Sequence, residues 1–475
     1  MISFRSTWFS ITALLIFFLS VTTDMYRELA VLLTLSALIS TLDRMGRGIV
    51  LREVVALHTC ITCLIMPIVG YAVYNRSFRE AYLLRRYMRV PEEVYFGYAL
   101  PAIALFVAAL CMAVTYKGRV LDEGAALGKT LQRIRTVLAT HHRYGFFLVL
   151  LGMGVTFVLP LLPGGIRYFA NLFYFSAFAG ILYIYFSPTF RGKAFVIALF
   201  FVFLMAGALR SGMFTVLAYM GATIFSFFLM GKRYPLWGKV TVFASALALL
   251  LVLQNAKTAY RDYVWKKTYA GDRTSLFASL FVENLQKGKS LVDKNDFFLV
   301  HLRVNQGFNV SVVMDRMPKM KPHDGGKALS ESLLSAIVPR IFWPDKPIAG
   351  GKANMLYYAG WRLTTMSTNI GPLGEAYGAF GVAGGIFFMG LLGLFIRWVY
   401  ARSFRVSEKL PLVVLWIPVL FYQTTYSAET DTLQIMNSLV KTAFFMWLLY
   451  KAFPPLFGGS RSAVSSRNSL VHYTT

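Results

Sequence analysis

The residues with the type and setting to do chemistry gather late in the chain. The stretch 339–385 begins as irregular, charged, aromatic-rich sequence and ends in a Gly-rich apolar run. Just upstream, Ser330 is placed to cap a short helix carrying Leu333, Leu334 and Ile337 on one side, and Pro339 stops it. Arg340 and Lys346 then follow in a proline-stiffened turn beside Trp343. Two cations next to an aromatic ring suit a diphosphate beside a sugar; a structural turn at a membrane surface is the alternative. Glu375 stands where the chain enters an apolar run near a basic cluster, which suits a general base or a salt bridge to one of the arginines. Arg210, in LRSGMF between two apolar runs, either snorkels to headgroups or offers a fixed, always-charged fork to a phosphate. Arg303 lies on the wet face of an amphipathic segment or serves the same anion. In 75–94, helical spacing puts Arg79, Arg86 and Arg89 on one face, with Tyr82, Leu83 and Leu84 toward lipid. That describes an interfacial helix that adheres to headgroups or docks an anionic lipid-linked substrate.

Other chemistries lose support. No Walker motif, HExxH or GxSxG occurs, which argues against ATP-driven transport, metalloprotease and serine-hydrolase readings. Cys60 and Cys63 form a CxxC just after His58, but no second ligand pair follows, so they read as small core residues and no metal is expected. Gly371, Gly374 and Gly378 allow close backbone approach, and Gly381 with Gly385 makes a small-xxx-small packing face.

The elements that must position these residues are membrane helices. The chain has 475 residues, of which 57% are hydrophobic and 15% charged, with 41 Phe and 26 Tyr. An ordinary soluble domain is not built this way. The net charge of +26 lies largely in short loops between apolar runs, so it reads as retention of cytoplasmic loops and not as nucleic-acid binding. Spans are expected near 7–22, 29–42, 54–74, 95–116, 145–162, 171–186, 194–208, 213–230, 240–255, 379–400, 410–426 and 433–453. The chain is thus an all-α polytopic membrane protein of about twelve transmembrane helices. Loop charge places both termini in the cytoplasm. The expected parts are a membrane region over 1–255, one large extracytoplasmic loop subdomain over 256–376 with its own helices, three further spans over 377–457, and a disordered basic tail over 458–475. Lys441 is the one mid-span cation, accounted for by snorkelling or an internal partner.

The order of LRSGMF, PRIFWPDKP and GEAYGAFGVAGG resembles the Wzy-type polymerases of O-antigen, capsule and exopolysaccharide, related to the O-antigen ligases within the GT-C class of membrane glycosyltransferases. The likeness covers about 200–390, and the ligases' His near the end of the big loop is replaced here by Asn369 and Glu375. The resemblance implies a GT-C-like fold and an enzyme joining undecaprenyl-diphosphate-linked oligosaccharide repeat units on the periplasmic face of a bacterial inner membrane. Its catalytic residues would be Glu375 as base with Arg210 and Arg340 on the diphosphate. Arg303, Lys346, Trp343, Asn369, Arg86 and Arg89 would bind substrate. No cofactor is implied; a chain-length regulator and a flippase are the implied protein partners. An O-antigen ligase acting on lipid A core and a lipid-linked oligosaccharide transporter are the alternatives.

Overall fold

The computed structural model describes residues 7–74, 87–116, 119–120, 123–211, 216–232, 234–265, 271–287, 294–363 and 368–459. Apart from a two-residue ladder between Thr115–Tyr116 and Arg119–Val120, the described chain is helical. Among the described residues, five helices are long and apolar enough to cross a membrane: Leu51–Val73 (α3), Glu92–Cys111 (α4), Arg143–Leu161 (α6), Ile166–Phe186 (α7) and Gly371–Ser407 (α15). Trp8–Thr22 (α1) and the Lys193–Ala208 part of a further helix, Lys193–Ser211 (α8), are apolar but shorter. Tyr26–Arg44 (α2), the amphipathic Glu123–Thr140 (α5) and the short Gly221–Leu229 (α9) also lie in the first half.

The core forms around α4, buried along almost its whole length between α1 and α15. Such all-round burial explains why its sequence is apolar on every face. The α6–α7 pair is set by glycines: a Cβ on Gly152 would stand 2.6 Å from the Cβ of Ala177, so the helices meet at a distance only small residues permit.

Leu236–Trp265 (α10) runs straight through position 255, so the expected break between membrane region and loop falls inside a helix. Beyond it lie Arg273–Lys287 (α11), Lys294–Val304 (α12), Gln306–Arg316 (α13) and Lys327–Ile337 (α14), which give the 256–376 segment the helices its length called for. The start of α14 is not at Ser330. Gly326, at φ +89°, takes the cap position, Asp324 accepts from the backbone N–H groups of Gly326 and Ala328, and the Ser330 hydroxyl donates back to the Lys327 carbonyl.

Two further expectations are corrected. The helix expected from 379 begins at Gly371 and is broken at Gly381, whose φ of +70° and ψ of −157° are open to glycine and closed to most other residues. Carbonyls freed by the break find other donors: the Gly325 N–H reaches Ala379 at 3.0 Å, and the His323 ring Nδ1 lies 3.2 Å from the Gly378 carbonyl. Gly381 therefore serves the bend, whereas Gly385 does pack as expected, with room only for hydrogen against the Tyr98 ring of α4. The expected span 410–426 is not an α-helix. Pro411–Trp416 and Gln423–Glu429 are 3₁₀ turns flanking the four-residue helix Ile417–Leu420, with Pro411 and Pro418 preventing a continuous ladder. This irregular chain is almost wholly buried, which is how non-helical backbone is tolerated at membrane depth. It ends at Asp431, which caps Thr432–Ala452 (α16).

Candidate active site

The buried irregular segment delivers its last residues to the N-terminal ends of α15 and α16, where polar groups concentrate. Glu375 is 3% exposed. One carboxylate oxygen accepts from the Asn354 side-chain amide, and the other from the Thr432 hydroxyl and, at 2.9 Å, the Thr432 N–H. Asp431 is equally occupied. Its Oδ1 accepts from the Gln434 N–H at 2.6 Å as the helix cap, and its Oδ2 from Asn369 Nδ2 and the Gly350 N–H, both at 2.9 Å. Burial raises the Asp431 carboxyl above its ordinary value, against the lowering effect of these donors. Asn369 is a link in the same network. Its Oδ1 accepts from the Ile370 N–H and its carbonyl from Asn309 Nδ2, which joins α13 to the start of α15. These contacts fasten four chain segments together and leave neither Glu375 nor Asn369 a free polar atom of consequence.

Glu429 is placed differently. Its Oε1 accepts from the Tyr219 hydroxyl at 2.6 Å and lies 3.0 Å from His58 Nε2, with Tyr219 Oη and His58 Nε2 3.3 Å apart. The glutamate side chain remains 28% exposed. His58 Nδ1 is buried without a partner. The ring's one polar contact is therefore on Nε2, which faces the Glu429 carboxylate and donates to it. Burial pushes the Glu429 carboxyl up, and the His58 bond and field, the Tyr219 bond and the charge of Arg303 outweigh it, leaving it below the ordinary glutamate value. Both partners come from locally distorted helix. A π-helical turn, Ile61–Ile65, follows His58 within α3, and Tyr219 sits in another, Val216–Met220. Such turns recur at functional sites. Tyr219 also stacks on Tyr426, with ring centroids 4.8 Å apart.

The cations predicted from sequence divide into three groups. Arg303 is exposed and close enough to Glu429 to act on it electrostatically. Arg340 is exposed and donates to the Pro344 carbonyl at 2.9 Å, while Lys346 donates to the carbonyls of Ser335 and Val338, both at 2.6 Å, closing the end of α14. Burial and then Arg340 lower the Lys346 pKa. Lys441 of α16 senses both of them, and its internal partner is the Tyr168 ring, 4.5 Å away. Trp343 is half-buried in the same turn. Arg89 lies elsewhere, 3.8 Å from Asp315 and 5.8 Å from the centre of the Trp361 ring. Arg86 lies outside the described residues; Arg210 is in the last turn of α8, and its side chain is likewise outside them. The structure thus brings Arg340, Trp343 and Lys346 into one turn, and sets Glu375 and Asn369 in a separate buried network. Sequence reading missed His58, Tyr219 and Glu429. Their only local signals were the histidine before the CxxC and a carboxylate in the connection at 427–432.

No curated protein and no solved structure matches the chain. A family model described as a domain of unknown function, DUF8712, matches residues 11–410, a span that includes Arg303 and Glu375 and stops before Glu429. With most of its length matched, the chain belongs to that family.

Proposed function

We propose that this protein is a membrane glycosyltransferase that joins undecaprenyl-diphosphate-linked oligosaccharide repeat units on the periplasmic face of a bacterial inner membrane, with both termini cytoplasmic. The observation that carries this reading is an amphiphilic surface around the end of α14. Among the described residues, none of Arg340, Lys346 and Lys441 lies within ion-pair distance of a carboxylate. Beside Arg340 and Trp343, the apolar side chains of Leu334, Ile337, Ile341 and Phe342 are exposed, from 56% to 87%. A cationic cluster lacking its own counter-ions, next to greasy side chains facing outward, fits a diphosphate carried on a polyprenyl chain.

In the transfer, the acceptor sugar hydroxyl attacks the donor's anomeric carbon. The bond from that carbon to the diphosphate breaks, and its electron pair leaves with the diphosphate. Fixed cations at that oxygen stabilise the charge as it develops. Arg340, with Lys346 and Lys441 behind it, is assigned this task; Arg303 and Arg210 stand as the remaining anion ligands.

The test is an assay of the purified protein with an undecaprenyl-diphosphate-linked repeat unit, with and without chelator. A chelator-resistant ladder of products, lost in Arg340→Gln, is the expected result. No ladder, with the lipid-linked substrate instead crossing the bilayer of a proteoliposome, makes the protein a transporter and overturns the reading.

A further inference from the structure

Glu375, Asp431 and Glu429 lie around the N-terminal ends of α15 and α16, and the way their oxygens are occupied separates them. Glu375 and Asp431 have donors on both oxygens. Glu429 takes both of its contacts on Oε1. Among the described residues Oε2 has no donor, and the side chain is the most open of the three. A carboxylate gripped by one oxygen, with its other oxygen accessible and a guanidinium nearby, has the arrangement of a proton acceptor held in place.

We propose that Glu429 is the general base of the glycosyl transfer described above, with His58 and Tyr219 as its positioning residues. This rests on the glycosyltransferase reading. As the acceptor oxygen bonds to the anomeric carbon and the lipid diphosphate departs, the hydroxyl proton passes to Glu429 Oε2. The His58 ring and the Tyr219 hydroxyl hold Oε1 with fixed donors, which keeps the carboxylate in place and leaves Oε2 to accept the proton. The titratable and charged groups facing it are His58 from α3, Cys63 from the π-turn after it, Tyr219, Arg303 from α12, and Tyr426 on its own segment.

The experiment uses the full chain in nanodiscs. Carbodiimide with an amine nucleophile, followed by peptide mass mapping, reads carboxylate access without turnover. Glu429 is expected to be modified and Glu375 and Asp431 spared, and His58→Gln to move the labelling midpoint of Glu429 to higher pH. In the ladder assay, Glu429→Gln is expected to lose roughly 10²–10⁴-fold in rate, the usual worth of a general base. Its melting temperature and its stabilisation by the lipid-linked donor should stay at wild-type values, which a structural role would not allow. His58→Gln should raise the pH at which the ladder rate falls off on the acid side. A Glu429→Gln protein that polymerises within threefold of wild type, or labelling of Glu375 in preference to Glu429, overturns this assignment alone. A wild-type protein that makes no ladder overturns the glycosyltransferase reading, and the catalytic role with it, whatever the labelling shows.

Discussion

Glu375 and Glu429 are joined through the few residues that link the buried irregular segment to α16, yet the chain treats them in opposite ways. Glu375 faces three donors spread over both oxygens and is 3% exposed; Glu429 faces two contacts on one oxygen and is 28% exposed. The first arrangement maximises the number of satisfied groups and so makes a fastener. The second leaves half of the carboxylate unspent, which favours reactivity over stability. Position at a helix entrance, the ground on which Glu375 stood out in the sequence, does not distinguish the two; the distribution of donors does.

Substitutions can break the contrast apart. The largest expected effect is the loss of polymer formation in Glu429→Gln at unchanged melting temperature. Glu375→Ala should do the reverse. It orphans the Thr432 N–H and hydroxyl and the Asn354 amide, which at roughly 1–3 kcal/mol per buried unsatisfied group costs about 3 kcal/mol or more, read as a lowered unfolding midpoint in detergent. If Glu375→Ala melts like wild type, the fastener description fails.

A buried histidine sharpens the comparison with His58. His301 of α12 is fully buried against Tyr74, Tyr87 and Phe297, and burial pulls its pKa down to about 4. The folded value lies below the ordinary histidine value of about 6.5, so the unfolded chain takes up the proton first. Stability is unaffected above about pH 6.5 and declines as pH falls from there toward 4, by on the order of 3 kcal/mol in total. His301→Gln should flatten that part of the pH–stability curve, whereas His58→Gln should leave it in place and act on the rate profile. The smallest expected effect belongs to the bend in α15. Gly381→Ala forces a Cβ into the positive-φ region, at about 1–2 kcal/mol, and toward His323 Nε2 at 3.2 Å, read as a modest drop in melting temperature.

Much of the scaffold was legible because burial in lipid or protein demands long apolar runs, and α1, α3, α4, α6 and α7 announce themselves in that way. The same signal misled at 410–426, where the run is apolar because it is buried in protein while Pro411 and Pro418 deny it a helical ladder. Those prolines were the available warning. The Arg340, Trp343 and Lys346 turn could be read from local spacing because its members lie within one stretch of chain. The Glu429 site could not. Its partners, His58 and Tyr219, lie 371 and 210 positions away, the first just before a π-turn and the second within one, and no periodicity foretells such turns. Lys346 shows the converse limit, since a cation well placed in sequence for a phosphate is committed to two helix-end carbonyls.

The interruption at Gly381 has a mechanical side. A continuous 37-residue helix would act as a lever, carrying any tilt imposed by changing bilayer thickness straight to its far end. With the hydrogen-bond ladder cut and its loose carbonyls tied to His323 and Gly325, the short piece bearing Glu375 is anchored to the neighbouring loop instead. The long piece can rock with the lipid while the polar layer keeps its registration, as a coupling with a joint isolates an instrument from its mount.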